Sequence, residues 1–297
     1  MIKYGDFNYF ILLDLRDKLD VEGLVAVVKP DILVHCAANA REGASFFDPV
    51  NICNRNIMAY INILEPCIKY GIKRVCLYSS MAVYGDQATP FSENMPRNPK
   101  DPYAVNKMAM ELITEQLSDL YKFAYVIIRP HNVFASRQSI RDKFRNVIAI
   151  FMNRIMRGEP IMVYGNGEQK RAFSYIKDSL PCYIQCIEDD NIVNTVYNIG
   201  GINPITINYL AELVTTAFGK KDYPIIHLPD RHGEVKYAWC NQEKAIKELG
   251  YKENYTMNEA ILEMKNYCLD LGPQEWTDET LPLEHEKLPE TWRKKEE

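Results

Sequence analysis

Glycine is scarce at the front of this sequence. Of its 14 glycines only Gly5 and Gly23 precede Gly43, and the spacing G-x-x-G-x-x-G occurs nowhere in the 297 residues. Such a turn lets backbone N–H groups at a helix N-terminus close around a pyrophosphate, so the chain shows no Gly-rich dinucleotide turn. Nor does it hold an apolar run near the roughly 20 residues that cross a bilayer. The opening MIKYGDFNYF lacks the charged-then-apolar order of a signal peptide. Positive charge is not in excess: 35 Lys and Arg stand against 40 Asp and Glu, a net charge of -5 that excludes a basic field for nucleic acid or an anionic membrane. The eight cysteines include no C-x-x-C pair, and Cys182 and Cys186 have no His or second Cys pair close by in sequence. They read as reduced thiols, with Cys36 and Cys76 as small core residues, rather than a disulfide framework or metal site. The expectation is a cytoplasmic protein with no metal, no membrane partner and no nucleic-acid partner.

What is present is an ordinary globular composition, 47% hydrophobic and 25% charged. Short apolar runs, FILLDL (10–15), DILVHCA (31–37), RVCLYSS (74–80), YVIIRP (125–130) and VYNIG (196–200), alternate with longer segments of helical period. In the stretch 102–122, Val105, Met108, Ala109, Leu112, Ile113 and Leu117 fall on one face. Asp101 and Pro102 before them make a helix start, one capping and the other pre-set for the first helical position. Near-continuous apolar strands alternating with helices predict an α/β fold with a doubly wound parallel sheet, whose ligands gather at the carboxyl ends of the strands. Residues 1–135 read as a partial dinucleotide-binding domain. Residues 136–271 read mainly as a smaller α/β lobe that would hold the substrate, with some segments returning to the sheet. Residues 272–297 form a charged, Pro- and Glu-rich tail expected to fray. The pair Gly165 and Gly167 reads as a turn in that lobe.

The local chemistry centres on Tyr103 and Lys107, four apart and so on one helix face. An ammonium beside a phenol favours the phenolate, and a phenol so tuned can move a proton to or from a sugar hydroxyl. Without context the pair would be an exposed helical Tyr and Lys. Context comes from Ser79 and Ser80, which end a buried strand one element earlier and could share a substrate oxygen with Tyr103, although serine also suits a strand terminus.

SSMAVYG, PYAVNK and IIRPHNVF, in that order, together with DILVHCAA and the Asn56 helix NIMAYINILE, resemble the signatures of the extended short-chain dehydrogenase/reductase family, the NAD-dependent epimerases and dehydratases. The likeness runs from about Asp14 to Tyr251 and is greatest to UDP-glucose 4-epimerases. It implies a Rossmann-like fold, NAD as cofactor and a UDP-sugar as substrate. By resemblance Tyr103 is the catalytic acid/base, Lys107 its partner and nicotinamide-ribose anchor, and Ser80 the second hydroxyl. Asp14, Leu15, Ala37, Ala38, Asn56, Ser79 and Pro130 join Tyr103 and Lys107 around the cofactor. Asn132 would lie near sugar and phosphates, Asn146 at the base, and Tyr164 stacked on it. Arg171 and Arg231 would clamp the diphosphate bidentately, with Glu234 accepting ribose hydroxyls. The helices after Phe46 and Pro102 have apolar faces that build a four-helix dimer interface in relatives, which implies a homodimer.

Two departures from the family stand out. Related 4,6-dehydratases keep an acid after the catalytic hydroxyl, where this chain has Met81 and Ala82. That favours oxidation and re-reduction, with a UDP-uronate epimerase or a keto-sugar reductase as alternatives. The first βαβ unit with its Gly-rich turn is also missing, because Asp14 and Leu15 match a position just before the third expected strand. A fragment with a misplaced start, an inactive nucleotide-sugar-binding remnant, or a partner-supplied unit would each account for this, and the intact downstream positions favour the first. Loss of the sheet's central strand should leave exposed edges and apolar helix faces.

Overall fold

The computed structural model describes residues 9–277 and 279–293. Its main sheet has four parallel strands in the order Ile32–His35, Arg74–Tyr78, Ala124–Pro130 and Thr195–Ile199. Four of the five apolar runs form these strands, because parallel strands joined by helices are covered on both faces. On one face lie the helices Lys18–Val28, Ala59–Lys69 and Pro102–Tyr121, which bury Val21, Tyr60, Leu64 and Met110 against Leu33, Leu77 and Ile127. On the other, Ile176–Glu188 and Glu243–Leu249 cover Val126, Ile128 and Tyr197.

The fifth run departs from expectation. Residues 10–15 form no strand, and Leu12 is 90% exposed. A strand needs a hydrogen-bonded neighbour, and among the described residues the sheet ends at Ile32–His35 with no strand beyond it. On that edge strand Leu33 and His35 are buried, while Ile32 and Val34 point the other way and stay 40% and 38% exposed. Cys36, expected in the core, is exposed for the same reason: no helix among the described residues covers that face here.

The helix after Pro49 contains a π-turn at Asn54–Met58 before it continues as Ala59–Lys69. The Pro102–Tyr121 helix starts as expected, with the Asp101 carboxylate accepting from Ala104 N at 2.8 Å and Pro102 at the first position. In the second lobe Ile161–Tyr164 pairs with Ile225–Leu228, and Lys170–Arg171 lies between Ile205–Thr206 and Tyr237–Ala238. Helices Val147–Met156, Ile207–Ala217 and Met257–Leu271 fill its core through Phe151, Met152, Leu210 and Met264. The tail does not fray over its described length. Gln274 exchanges hydrogen bonds with Asn153, and Leu288 and Trp292 are buried against Ala44, Phe47 and Phe144.

Candidate active site

A cavity of about 1290 Å³ opens between the carboxyl ends of the sheet and the second lobe. Ser79, Ser80, Tyr103, Pro130, Asn132, Asn146, Tyr164, Arg171, Arg231 and Glu234 all line it, although they come from seven separated stretches of chain. Strand ends are where a doubly wound sheet collects ligands, so the motif order converts directly into proximity. Lys107, Asp14, Leu15, Ala37, Ala38 and Asn56 do not line this cavity.

The end nearest the sheet is built by local rules. Ser80 caps the short 3-10 helix Met81–Tyr84, its Oγ accepting from Ala82 N at 3.1 Å. Tyr103, in the first turn of its helix, is 5% exposed, and its backbone N–H donates to Ser45 Oγ at 3.3 Å. Burial pushes the phenol above its ordinary value and the Glu42 charge pushes it further, while the facing Ser80 hydroxyl works against both. The simple expectation that Lys107 lowers the phenol is not met in this arrangement. The Lys107 ammonium lies 6.0 Å from the centre of the Tyr103 ring and donates instead to Tyr78 O at 2.7 Å. Burial takes Lys107 itself down to about 8.

Behind this end lies a network that motif reading did not single out. Glu111, fully buried, receives Arg129 Nε at 2.9 Å and Arg129 Nη2 at 2.6 Å, Arg97 Nε at 2.5 Å and the Ser79 hydroxyl. Arg129 also donates to Tyr84 Oη at 2.7 Å, which donates to Asn198 at 2.8 Å. Burial alone would raise the Glu111 carboxyl, but Arg129 holds it below its ordinary value. The network ties two strand ends and the Tyr103 helix together, and it uses the Ser79 side chain to do so. The signal was in the sequence: Glu111 stands four residues after Lys107, on the same helix face, and Arg129 is the arginine of IIRP.

The other side of the cavity is charged. Glu234 is shared by Arg171, whose Nη2 is 2.9 Å away, and by Arg231, whose Nε is 2.9 Å away. The Arg231 guanidinium also lies 4.7 Å from the centre of the Tyr164 ring. Asn132 adopts φ 43 and donates to Ala172 O at 2.9 Å. Asn146 is the cap of the Val147–Met156 helix, accepting from Ile148 N at 3.1 Å and donating to Val133 O at 2.8 Å. Its amide is therefore committed to the fold. Glu42, also missed by motif reading, opens onto the cavity between these groups. Enclosure within the cavity and the nearby Asp101 raise its carboxyl to about 7, against the pull of Arg171 and Arg231, although the residue stays open to solvent there.

NAD fits these residues in part. Ser80, Tyr103 and Pro130 line one end of the cavity, and the Lys107 ammonium lies behind them, 6.0 Å from the Tyr103 ring, polar groups that could hold a nicotinamide and its ribose. Nearby, His35 Nε2 and Asn39 Nδ2 are buried without partners, the condition of polar atoms awaiting a further group. Asn56 serves the fold here, exchanging hydrogen bonds with the Asn39 backbone at 2.7 and 3.1 Å. The adenosine diphosphate side does not fit. Among the described residues no Gly-rich turn follows a first strand. The exposed Asp14 carboxylate is taken by Arg16, which holds it at about 2, and Leu15 packs against the core.

Residues 3–200 match the model of the NAD dependent epimerase/dehydratase family. The chain is 30% identical over 260 residues to a putative UDP-glucose 4-epimerase of Methanocaldococcus jannaschii, covering 87% of this chain and 83% of that one. Against a UDP-glucuronate 4-epimerase of Thermodesulfobacterium geofontis it is 28% identical over 273 residues, covering 90% and 81%. The solved UDP-glucose 4-epimerase of Thermus thermophilus in complex with NAD superposes with a TM-score of 0.80 at 27% identity, covering 86% of this chain and 83% of that one. With two thirds of its length matched by one family model, the chain belongs to the NAD dependent epimerase/dehydratase family.

Proposed function

We propose that the chain serves the 4-epimerisation of a UDP-hexose, interconverting UDP-glucose and UDP-galactose. One observation carries the reading: the Tyr103 phenol and Ser80 hydroxyl share a single cavity with two guanidiniums and Glu234. A nucleotide sugar has the matching order, a secondary hydroxyl at one end and a diphosphate beyond the sugar ring. NAD held beside Tyr103 and Lys107 would supply a hydride acceptor for C4 and then a donor to its other face, so none would be consumed.

The chain's own residues handle the proton and the placement. Ser80 and Tyr103 hold the 4-oxygen between them, and Tyr103 exchanges its proton. Burial keeps that phenol protonated, so it is ready to donate as the keto sugar is reduced. The reverse direction needs the phenolate, which Lys107 stabilises by turning from the Tyr78 carbonyl toward the ring. A diphosphate engages the forks of Arg171 and Arg231 and releases Glu234 to the ribose hydroxyls. Asn132 and Asn146 shape the wall, and Tyr164 meets the base. In this reading residues 1–135 are the cofactor side and 136–271 mainly the substrate lobe. Val50, Met58, Val105 and Leu112 remain exposed on two touching helices, which supports a homodimer. No helix among the described residues is long and apolar enough to cross a membrane, in keeping with a cytoplasmic enzyme.

Met81 and Ala82, both in the cavity wall, argue against elimination of water. The test measures the NAD released when the purified chain is denatured, then follows UDP-galactose with added NAD. Formation of UDP-glucose with no net NADH is expected. Net cofactor consumption, a 4-keto-6-deoxy product, or failure to bind any UDP-sugar would overturn the proposal.

A further inference from the structure

The cavity has a wall that lies outside both the matched family segment and the strand-end motifs. After the Met257–Leu271 helix the chain turns back along the cavity as a strap, lining it through Trp276, Thr277, Glu279 and Thr280. Trp276 Nε1 donates to Glu159 at 3.2 Å, Thr277 N to Arg141 O at 2.9 Å, and Leu283 N to Phe47 O at 3.0 Å; Glu279 pairs with Arg41. These anchors bridge the second lobe and the loop after the edge strand. A short 3-10 turn, Glu290–Trp292, then brings its residues into the cavity wall.

Trp292 is 5% exposed and stands edge-on to Phe144 at 5.2 Å and to Tyr164 at 6.3 Å between ring centres. Arg231 lies 6.0 Å from its ring, and Thr291 Oγ1 is 2.7 Å from Tyr164 Oη. A β-carbon on Gly43 would stand 3.1 Å from the indole, so the loop after the edge strand accommodates the indole by carrying no side chain there. The cavity thus ends in an aromatic cluster directly beyond the Arg231 and Glu234 pair, with Trp292 supplied by the tail.

We propose that the C-terminal strap completes the nucleoside end of the cavity and that Trp292 is the surface against which the pyrimidine base packs. The inference rests on the UDP-hexose reading above and adds a tail residue, Trp292, to its base subsite. The order of groups supports it: the phenol meets the sugar, the guanidiniums suit the phosphates, and the next groups along the ligand are a ribose and a flat base. Flat bases pack against aromatic rings, and Tyr164 and Trp292 border the cavity there, with the Arg231 guanidinium 4.7 Å from the Tyr164 ring and 6.0 Å from the indole. Trp292 is in this view a specificity-determining residue that touches the nucleotide and takes no part in the proton transfer.

The test titrates the full chain, Trp292→Ala and Trp292→Phe with UDP and with inorganic pyrophosphate by calorimetry, folding being checked by circular dichroism. Loss of a stacked base should weaken UDP binding about tenfold or more in Trp292→Ala, with most affinity restored in Trp292→Phe and pyrophosphate affinity unchanged. Equal loss for both ligands would mean that the strap only holds Arg231, and unchanged or tighter UDP binding in Trp292→Ala would mean that the indole is not the base's surface. Either result overturns the inference. A parent chain that binds pyrophosphate but not UDP also overturns it, whereas one that binds neither overturns the reading of the cavity itself.

Discussion

The main sheet has two edges, and they are finished in opposite ways. Along Thr195–Ile199 the open backbone groups are taken by side chains. Glu93 accepts from Asn198 N at 2.9 Å, Gln242 accepts from Gly200 N at 3.2 Å, and Lys244 donates to Val196 O at 2.8 Å. Along Ile32–His35 no strand follows among the described residues, Ile32 and Val34 are exposed, and the neighbouring helix Lys18–Val28 leaves Leu19, Val27 and Val28 uncovered. The first pattern is how proteins close an edge against water; the second leaves apolar side chains and open backbone groups exposed to it, a site open to pairing. The Thr195–Ile199 edge is closed and internally partnered, whereas the Ile32–His35 edge is open among the described residues.

The largest expected effect sharpens that separation. Tyr103→Phe removes the proposed proton carrier and leaves the cavity walls intact, so epimerisation should fall by roughly 10²- to 10⁴-fold. UDP affinity and thermal midpoint should hardly move; a matching loss of UDP affinity would show that the phenol is a binding group instead. Next comes Glu111→Gln, which leaves Arg129 buried beside an uncharged amide. Breaking such a pair costs about 3–5 kcal/mol, to be read from urea unfolding, and a cost below about 1 kcal/mol would show that the network is not tight.

A pH series separates the buried imidazoles from the rest. Burial takes His35 from 6.5 down to about 3 and His131 down to about 4. Above 6.5 both are neutral folded or unfolded. As pH falls below 6.5 the unfolded chain takes up protons that the folded chain refuses, so stability drops by about 1.4 kcal/mol per pH unit for each histidine. His35→Gln should flatten the fall between about pH 6 and pH 4.5, and an unchanged slope would show that His35 is protonated in the folded state. The smallest energetic effect lies at the edges themselves. Val34→Lys should change stability by no more than about 0.5 kcal/mol while suppressing concentration-dependent association seen by light scattering. Lys244→Met should do the reverse by reopening the closed edge. If neither variant alters association, the contrast between the edges has no consequence in solution.

Much of this was readable along the chain. The four sheet strands, the capped start at Asp101, the Tyr103 helix and the gathering of Ser80, Asn132, Arg171 and Arg231 follow from apolar runs, caps and motif order. The misreadings share a cause. FILLDL has the composition of a strand but no adjacent strand among the described residues, and Cys36 has an apolar setting in sequence but no described helix over it. The expected effect of Lys107 on Tyr103 assumed that four-residue spacing brings ammonium and phenol together, whereas the ammonium found a backbone carbonyl first.

By itself the sequence determined the elements, their order and the family, because periodicity, caps and strand-end motifs act over a few residues. Tertiary structure alone decided which charges meet and which surfaces are covered. Glu111 became the hub of a buried network, and a charged tail became a cavity wall through Trp292. Each outcome depends on burial and on partners distant in the chain, and no local pattern encodes those.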